Sequence, residues 1–309
     1  MTTFEILLQQ IGLFVIYILA GVILVGTKVL NRETLEPISK FVIKMALPVM
    51  IFINIIDGVN KEILTGSWSI LLIAAGFYAV MFLVSFGMMK FFHLSEDRAG
   101  ICQAMMLFGN IGFMAVPVIS SVFPGNGILY VSVFMVFDQL MLWTLGVKLT
   151  TPTRSGGFEL KKLINPATVA ILIGMLLMLT GVRIPALLDT GLQKIGATAS
   201  PLAMIYIGGI FAELPLKKYL KELSLYGIVL VRMLLAPLLM FFVLGFFPVS
   251  AEIRLAMALI TGMPTMTAVV MMANASGMDG EYALGGVFIT TLCGIVTLPC
   301  ICWLLQYAI

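Results

Sequence analysis

Long apolar runs, each ended by a charged residue, a glycine or a proline, fill almost the whole chain. A membrane-spanning helix needs about 20 mostly apolar residues, and glycine and proline mark the ends of such runs. This pattern predicts ten spans, numbered here in chain order, at 4–27, 37–57, 67–92, 98–122, 127–149, 164–182, 186–212, 222–246, 251–275 and 281–307. We therefore expect an all-α polytopic membrane protein with ten transmembrane helices.

Equivalent residues recur in the two halves of the chain at a nearly constant spacing. Three pairs lie 153 residues apart: Pro48 and Pro201, Gly109 and Gly262, and Gly127 and Gly280. Arg98 and Arg254 lie 156 residues apart, which indicates a three-residue insertion between the two spacings. Each repeat holds five spans, and an odd number sets the two halves in opposite orientations, as in many secondary transporters. We expect a first five-helix repeat at 1–150, a cytoplasmic linker at 151–163 and a second, inverted repeat at 164–309.

Spans four and nine are each interrupted near their middle. Span four contains Gly109, Asn110, Gly112 and Pro117, and span nine contains Gly262, Met263, Pro264 and Thr265. An interrupted helix frees backbone groups, which are tolerated in a membrane only inside protein or beside a wet cavity. Corresponding breaks in two repeats indicate a substrate site at the bilayer midplane, and half-helix N-termini there favour an anion. The alternative is that Pro117 and Pro264 only kink two packed helices.

The composition agrees with burial of most of the chain in lipid. Hydrophobic residues make up 61% of the chain and charged residues 11%. Soluble domains carry roughly 25% charged residues, so a water-soluble fold is excluded. A net charge of +3 is too small and too dispersed to indicate a nucleic-acid partner. The sequence contains no motif of a catalytic, cofactor or metal site.

Lysine and arginine cluster in alternate loops. The odd-numbered loops carry Lys28, Arg32, Lys40, Lys90, Arg98, Lys148, Arg154, Lys161, Lys162, Lys217, Lys218 and Lys221. The even-numbered loops carry only Lys61, Arg183 and Arg254. Because loops rich in lysine and arginine stay in the cytoplasm, both termini are expected on the outer side of the cell membrane.

Two charged residues lie deep inside predicted spans. Asp138 stands near the middle of span five, and Arg232 lies within span eight. Charges inside a span are costly and indicate function, and a buried carboxylate can carry a proton, so Asp138 is a candidate coupling residue. The alternative is a structural acid that pairs with a basic group or with freed backbone N–H groups. Arg232 can neutralise either a carboxylate or the substrate.

The chain resembles the auxin efflux carrier family, which includes plant auxin carriers and bacterial permeases, through Leu47–Phe52, Gly109–Pro117 and Pro201–Gly209. The resemblance covers essentially the whole chain. It implies two inverted repeats whose spans four and nine cross at their breaks, in a fold similar to bile-acid/sodium symporters. It also implies a scaffold of spans 1, 2, 6 and 7 and a mobile transport domain of spans 3–5 and 8–10. Within that fold, Asn110 corresponds to a substrate ligand and Gln139 to a polar support site behind the crossover.

The chain departs from the plant carriers of this family in two places. Their long hydrophilic loop is reduced here to a short linker, and residues 67–89 lack the acidic and basic pair of span three. A small carboxylate such as malate or malonate is therefore a better expectation than auxin itself, with an auxin-like acid kept among the candidates.

Together these features predict a secondary active transporter that moves a small organic anion across the cell membrane by alternating access. Proton coupling through Asp138, supported by Gln139, is the first expectation. Sodium coupling, uniport and an anion channel of the same fold are the alternatives. The expected partners are the anion, the coupling ion and the lipid bilayer, with a homodimer left open. No catalytic residue, cofactor or metal ion is expected.

Overall fold

The computed structural model describes residues 3–58, 68–152, 166–182, 184–213 and 216–306. The described residues are predominantly helical, which confirms the all-α class. The α-helices are α1 (Thr3–Gly26), α2 (Arg32–Phe41), α3 (Leu47–Gly58), α4 (Trp68–Phe91), α5 (Glu96–Leu107), α6 (Val116–Val122), α7 (Gly127–Met141), α8 (Val147–Leu149), α9 (Pro166–Thr180), α10 (Ala186–Ala197), α11 (Ala199–Glu213), α12 (Leu216–Tyr219), α13 (Leu223–Ile228), α14 (Ala236–Leu244), α15 (Ala251–Thr261), α16 (Thr267–Ala275) and α17 (Gly280–Gln306). The predicted linker at 151–163 lies almost entirely outside the described residues.

Seven helices of the described chain are long and apolar enough to cross a membrane. They run over Thr3–Gly26, Glu33–Asp57, Trp68–Phe91, Gly127–Leu149, Ala186–Glu213, Leu223–Leu244 and Gly280–Gln306. These seven coincide with predicted spans one, two, three, five, seven, eight and ten. Predicted span six contains the shorter helix α9, and predicted spans four and nine are interrupted, as the sequence indicated.

Three of the four π-helical segments in the described chain, Val42–Ala46, Ile111–Ala115 and Val229–Leu235, are each followed by a proline, and the fourth, Leu142–Gly146, is not. Pro48, Pro117 and Pro237 stand two residues after the end of their segments. A proline has no backbone N–H, and its ring clashes with the carbonyl four residues earlier, so the preceding turn widens. Such widening satisfies freed backbone groups inside a membrane and lets the chain remain helical there.

Helices α1 and α11 pack with their backbones in direct contact. Gly21 of α1 lies against the backbone of Ile205, and Gly208 of α11 lies against the backbone of Ile18. A Cβ atom at Gly208 would lie 2.7 Å from the carbonyl carbon of Ile18, far inside van der Waals contact. Small residues allow this close approach, which is a common way for helices to pack in membranes.

The most buried part of the described chain surrounds the two interrupted spans. Every residue at 101–115 and at 255–270 is buried. Large apolar side chains such as Ile16, Leu83 and Phe246 are exposed instead, as expected of helix faces that contact lipid chains. The two breaks therefore lie at the centre of the molecule, away from the surface.

Candidate functional site

The breaks in the two interrupted spans are in direct contact with each other. The first break is the stretch 108–110, between α5 and the π-helical segment Ile111–Ala115. The second is the stretch 262–266, between α15 and α16. Gly109 and Thr265 form an isolated antiparallel bridge. The alternative that Pro264 only kinks a continuous helix is therefore wrong, because the chain leaves the helical conformation at 262–266. The break in span four lies at 108–110, before Pro117, which stands in a helical stretch.

Backbone hydrogen bonds on both sides of this bridge join the breaks. The N–H of Asn110 donates to the carbonyl of Pro264 at 2.7 Å, and the N–H of Met266 donates to the carbonyl of Phe108 at 3.0 Å. Groups that the broken helices free thus satisfy each other, as burial away from water requires. Gly109 pairs with Thr265, which lies 156 residues later, and not with Gly262. The 156-residue spacing that separates Arg98 from Arg254 therefore also relates the two breaks to each other.

Asn110 is buried at the start of the π-helical segment Ile111–Ala115, and its side chain does not cap that segment. Its Oδ1 atom has no hydrogen-bond partner in the described part of the chain. A buried polar atom without a partner needs an explanation, and a ligand is one. Next to it, Gly112 faces Met50 and Leu47 at the start of α3, and the hydroxyl of Ser200 donates to the carbonyl of Phe113.

Pro117 lies in the first turn of α6 and is partly buried, so it stands beyond the pairing of the breaks. Its ring follows the widened turn and does not cause the interruption at 108–110. Sequence reasoning placed Pro117 in the substrate site, and the structure places it one helical segment away from Gly109. From this position Pro117 affects the geometry of the half-helix that begins at Ile111.

Thr265 is fully buried, and its polar groups already have partners. Its N–H donates to the Oγ1 atom of Thr290 at 3.1 Å, and its hydroxyl donates to the carbonyl of Met105 at 3.3 Å. Thr265 therefore closes the end of α5. The hydroxyl of Thr267, at the start of α16, is buried and has no partner among the residues that the structure describes.

Gly262, Met263 and Pro264 form the rest of the second break. The N–H of Gly262 still bonds to the carbonyl of Ala258, at the end of α15, at 3.0 Å. The ring of Pro264 lies against Gly294 of α17, where a Cβ atom would come within 2.7 Å of the ring. These three residues shape the wall of the break through their backbone.

Arg232, which lies in the π-helical segment Val229–Leu235, is fully buried beside the breaks. Its Nε atom donates to the carbonyl of Met263 at 3.1 Å, and its Nη1 atom donates to the carbonyl of Met106. Its guanidinium lies 6.0 Å from the ring centre of Phe77. A Cβ atom at Gly109 would overlap Nη2, so any larger residue there would displace the guanidinium from this place. Sequence reasoning named Arg232 but gave no signal of its carbonyl partners.

Asp138 of α7 is fully buried behind the first break. Its carboxylate accepts hydrogen bonds from the hydroxyl of Tyr78 and, at 2.8 Å, from the Nε2 atom of Gln139. Gln139 in turn accepts from the indole N–H of Trp143 at 3.3 Å. The ring of Tyr78 packs against that of Phe108 with centres 5.7 Å apart, which connects this network to the first break. Asp138 and Gln139 are thus hydrogen-bonded to each other, and their role as a coupling or support site stays a prediction.

Asp138 and Arg232 are the charged side chains that are buried in the described chain. They interact electrostatically without forming a direct ion pair among the described contacts. The arrangement therefore combines two unpartnered polar atoms, two half-helix starts and two buried charges of opposite sign in one region. Half-helix starts carry a partial positive charge, so this region is suited to a small anion.

A comparison with known proteins agrees with this geometry. The model of the "Membrane transport protein" family matches residues 6–159 and 154–302. An uncharacterised transporter of Methanothermobacter thermautotrophicus is 24% identical over 300 residues, which cover 92% of this chain and 93% of that protein. The uncharacterised transporter YfdV of Escherichia coli is 25% identical over 192 residues, 58% of this chain and 60% of YfdV, so the match spans about three fifths of that relative. The chain therefore belongs to the membrane transport protein family, the auxin efflux carrier family, and is a multi-pass membrane protein.

Proposed function

We propose that this protein is a secondary active transporter of a small organic anion, and that the paired breaks hold the anion. The observation that carries the proposal is the meeting of Asn110 with the second break at the buried centre of the molecule. An amide oxygen that is buried without a partner has an unmet hydrogen bond, which a ligand would satisfy. Transport itself follows from the family, and the choice of an anion follows from the half-helix starts.

The architecture that we propose has ten helices in two inverted repeats, at 1–150 and 164–309, whose interrupted helices four and nine cross at their breaks. The bridge between Gly109 and Thr265 supports this arrangement. Helices 1, 2, 6 and 7 form the scaffold, which the glycine contact between α1 and α11 supports. Helices 3–5 and 8–10 form the transport domain. The contacts of Gly112 with Met50 and of Ser200 with Phe113 then lie between scaffold and transport domain.

In the proposed site a carboxylate of the substrate lies between the two half-helix starts. The Nδ2 group of Asn110 and the hydroxyl of Thr267 donate to it, together with N–H groups at the start of α16, which no side chain caps. The unpartnered Oδ1 atom of Asn110 accepts from a hydroxyl or protonated carboxyl group of the substrate. Gly109 and Gly112 border this site with their backbone, while Arg232 fills the space beside Gly109 and Met50 fills the space beside Gly112. Gly262, Met263, Pro264 and Thr265 form the opposite wall. Malate, malonate and an auxin-like acid are substrates of suitable size and charge.

Coupling to protons through Asp138 is the mechanism that we favour. When Asp138 is charged, it balances Arg232, and the buried pair has no net charge. When Asp138 carries a proton, Arg232 is left with its positive charge near the breaks, and an anion is attracted more strongly. Gln139 supports the carboxylate in its charged form through its Nε2 hydrogen bond. Sodium coupling and uniport are the alternatives, and an anion channel would be recognised by flux that does not saturate.

The orientation that we propose places the basic loops in the cytoplasm and both termini outside the cell membrane. It follows from the distribution of lysine and arginine between odd and even loops. Labelling of a cysteine introduced near either terminus by a membrane-impermeant reagent on intact cells tests this orientation. Failure of the reagent to label the cysteine at either terminus would contradict this orientation.

The site is tested by Asn110→Ala in purified protein reconstituted into vesicles. A screen of mono- and dicarboxylates by thermal shift and uptake, at several pH values, first identifies a substrate. Asn110→Ala is then expected to abolish both uptake and the thermal shift while the protein stays folded, because the side chain that donates to the carboxylate is missing. Asn126→Ala is the control, since Asn126 is an exposed amide in a turn. Normal uptake by Asn110→Ala would refute the site.

A further inference from the structure

The guanidinium of Arg232 lies where carbonyl groups from both breaks converge. Its Nη1 atom bonds to Met106, in the last turn of α5, and its Nε atom bonds to Met263, two residues after the end of α15. A helix end leaves its last carbonyl groups without partners, and these groups carry a partial negative charge. The same side chain thus binds the C-terminal ends of α5 and α15, the two half-helices that precede the breaks.

Converging carbonyl groups at half-helix ends coordinate the coupling cation in other secondary transporters. We propose that Arg232 is a tethered cation that takes the place of such an ion, holds the two breaks together, and makes the site independent of sodium. The inference rests on the proposed transport function, which it deepens by excluding sodium as the coupling ion. Arg232 is then a positioning residue, and the substrate binds at the N-terminal ends of the two half-helices that follow the breaks, which begin at Ile111 and Thr267.

The surroundings of Arg232 fit this role closely. The side chain is only 1% exposed, so no hydrated ion fits beside it. Gly109 of the first break leaves room for Nη2, which a Cβ atom would overlap. Phe77 of α4 faces the guanidinium from another side at 6.0 Å. Two carbonyl groups, one aromatic ring and one glycine from four different segments therefore enclose this cation.

The charges around Arg232 also favour a permanent cation there. Asp138 is the other buried charged side chain of the described chain, and Tyr78 lies between its carboxylate and the first break. Without Arg232 the region would hold one carboxylate and the two unpartnered carbonyls, a negative surrounding that repels an anionic substrate. A lysine could supply the charge but not the planar fork that reaches two carbonyls at once.

The test measures thermal unfolding of purified protein and uptake in vesicles, in sodium medium and in choline medium. Wild-type protein is expected to give the same unfolding temperature and uptake in both. Arg232→Ala is expected to lose stability and to lower uptake by roughly ten- to a hundredfold, because two charge-assisted hydrogen bonds are lost. Methylguanidinium, at concentrations far below denaturing ones, is expected to raise the unfolding temperature of Arg232→Ala and not that of wild-type protein, since only the variant has a vacated site.

Arg254→Ala is the matched control. Arg254 is partly buried and, like Arg232, lies near an aromatic ring, with its guanidinium 4.3 Å from the centre of Phe241, but it is not joined to the breaks. Methylguanidinium is expected to leave the unfolding temperature of this variant unchanged. Equal stabilisation of both variants would overturn the proposal, because it would show a general effect of the reagent.

Three further outcomes also decide between the tethered cation and its alternatives. If Arg232→Ala does not fold, Arg232→Lys is measured instead: a lower unfolding temperature with no dependence on sodium supports the tethered cation, and wild-type stability overturns it. Dependence of the wild-type unfolding temperature on sodium also overturns it. If methylguanidinium stabilises Arg232→Ala selectively but wild-type protein transports no carboxylate, the tethered cation stands and the proposed anion transport fails.

Discussion

Replacing Thr265 by valine removes one hydroxyl group and leaves the shape of the side chain almost unchanged. In the structure this hydroxyl donates to the carbonyl of Met105, one of the last carbonyl groups of α5, at 3.3 Å. Its loss leaves that buried carbonyl without the hydroxyl, at a cost of about 1–3 kcal/mol. At about 2–4 °C for each kcal/mol, the unfolding temperature should fall by several degrees.

Thr267→Val is the matched comparison, because it removes the same group two residues later. The hydroxyl of Thr267 is buried and has no partner in the described structure, so its removal should leave stability unchanged or raise it slightly. On the proposed site, however, this hydroxyl binds the carboxylate, so Thr267→Val should weaken substrate affinity by roughly tenfold. Thr265→Val should affect affinity mainly through its effect on folding.

Both variants can be compared by thermal unfolding in detergent, without substrate and across a substrate titration. Thr265→Ser is a further control that keeps the hydroxyl and should retain most of the stability. The reversed pattern, in which Thr267→Val is unstable and Thr265→Val binds weakly but unfolds like wild type, would refute the assignment. Thr265 would then be a ligand, as the sequence suggested, and Thr267 a structural residue.

Two further substitutions test coupling and packing. Asp138→Asn removes the proton carrier from the buried network and should flatten the dependence of uptake on pH; an unchanged profile would remove Asp138 from the mechanism. Gly208→Ala places a Cβ atom against the backbone of Ile18 and should lower the free energy of unfolding by about 1–3 kcal/mol. Gly12→Ala, where nothing lies within 4 Å, should be neutral or stabilising, and equal stability of the two variants would contradict the close packing of α1 and α11.

The helices of this protein were predictable because lipid imposes a strong pattern on sequence. Seven predicted spans agree with helices long and apolar enough to cross a membrane, and the two interruptions lie at Gly109 and at Gly262–Pro264. Length and hydropathy suffice for this, since every spanning segment must satisfy its own backbone. The local widening before Pro48, Pro117 and Pro237 follows from the same rule, but its extent could not be derived from the sequence.

The contacts of the candidate site were much less predictable. The recurrence of Gly109 at Gly262 suggested that these two glycines are equivalent, yet Gly109 pairs with Thr265. A three-residue shift between the two repeats cannot be detected in an apolar stretch, because neighbouring residues there have similar hydropathy. The partners of Arg232 are backbone carbonyls, which leave no trace in residue type. Sequence therefore indicated which residues are unusual in a membrane, and only the structure showed what each of them contacts.

The two buried charges explain how the proposed site could carry an anion at low electrostatic cost. Arg232 keeps its charge throughout, and Asp138 is the buried carboxylate that can gain or lose a proton. With Asp138 charged and no substrate bound, the pair is neutral. With Asp138 protonated and a monovalent carboxylate bound, the sum is again neutral, because the substrate replaces the charge that the proton removed. A transport domain that contains these groups would therefore carry no net charge through the membrane in either of these two states. This lowers the electrostatic cost of its movement. A proton and a monocarboxylate would then cross together with little influence of the membrane potential on the transport rate, whereas a dianion such as malate would leave one negative charge uncompensated.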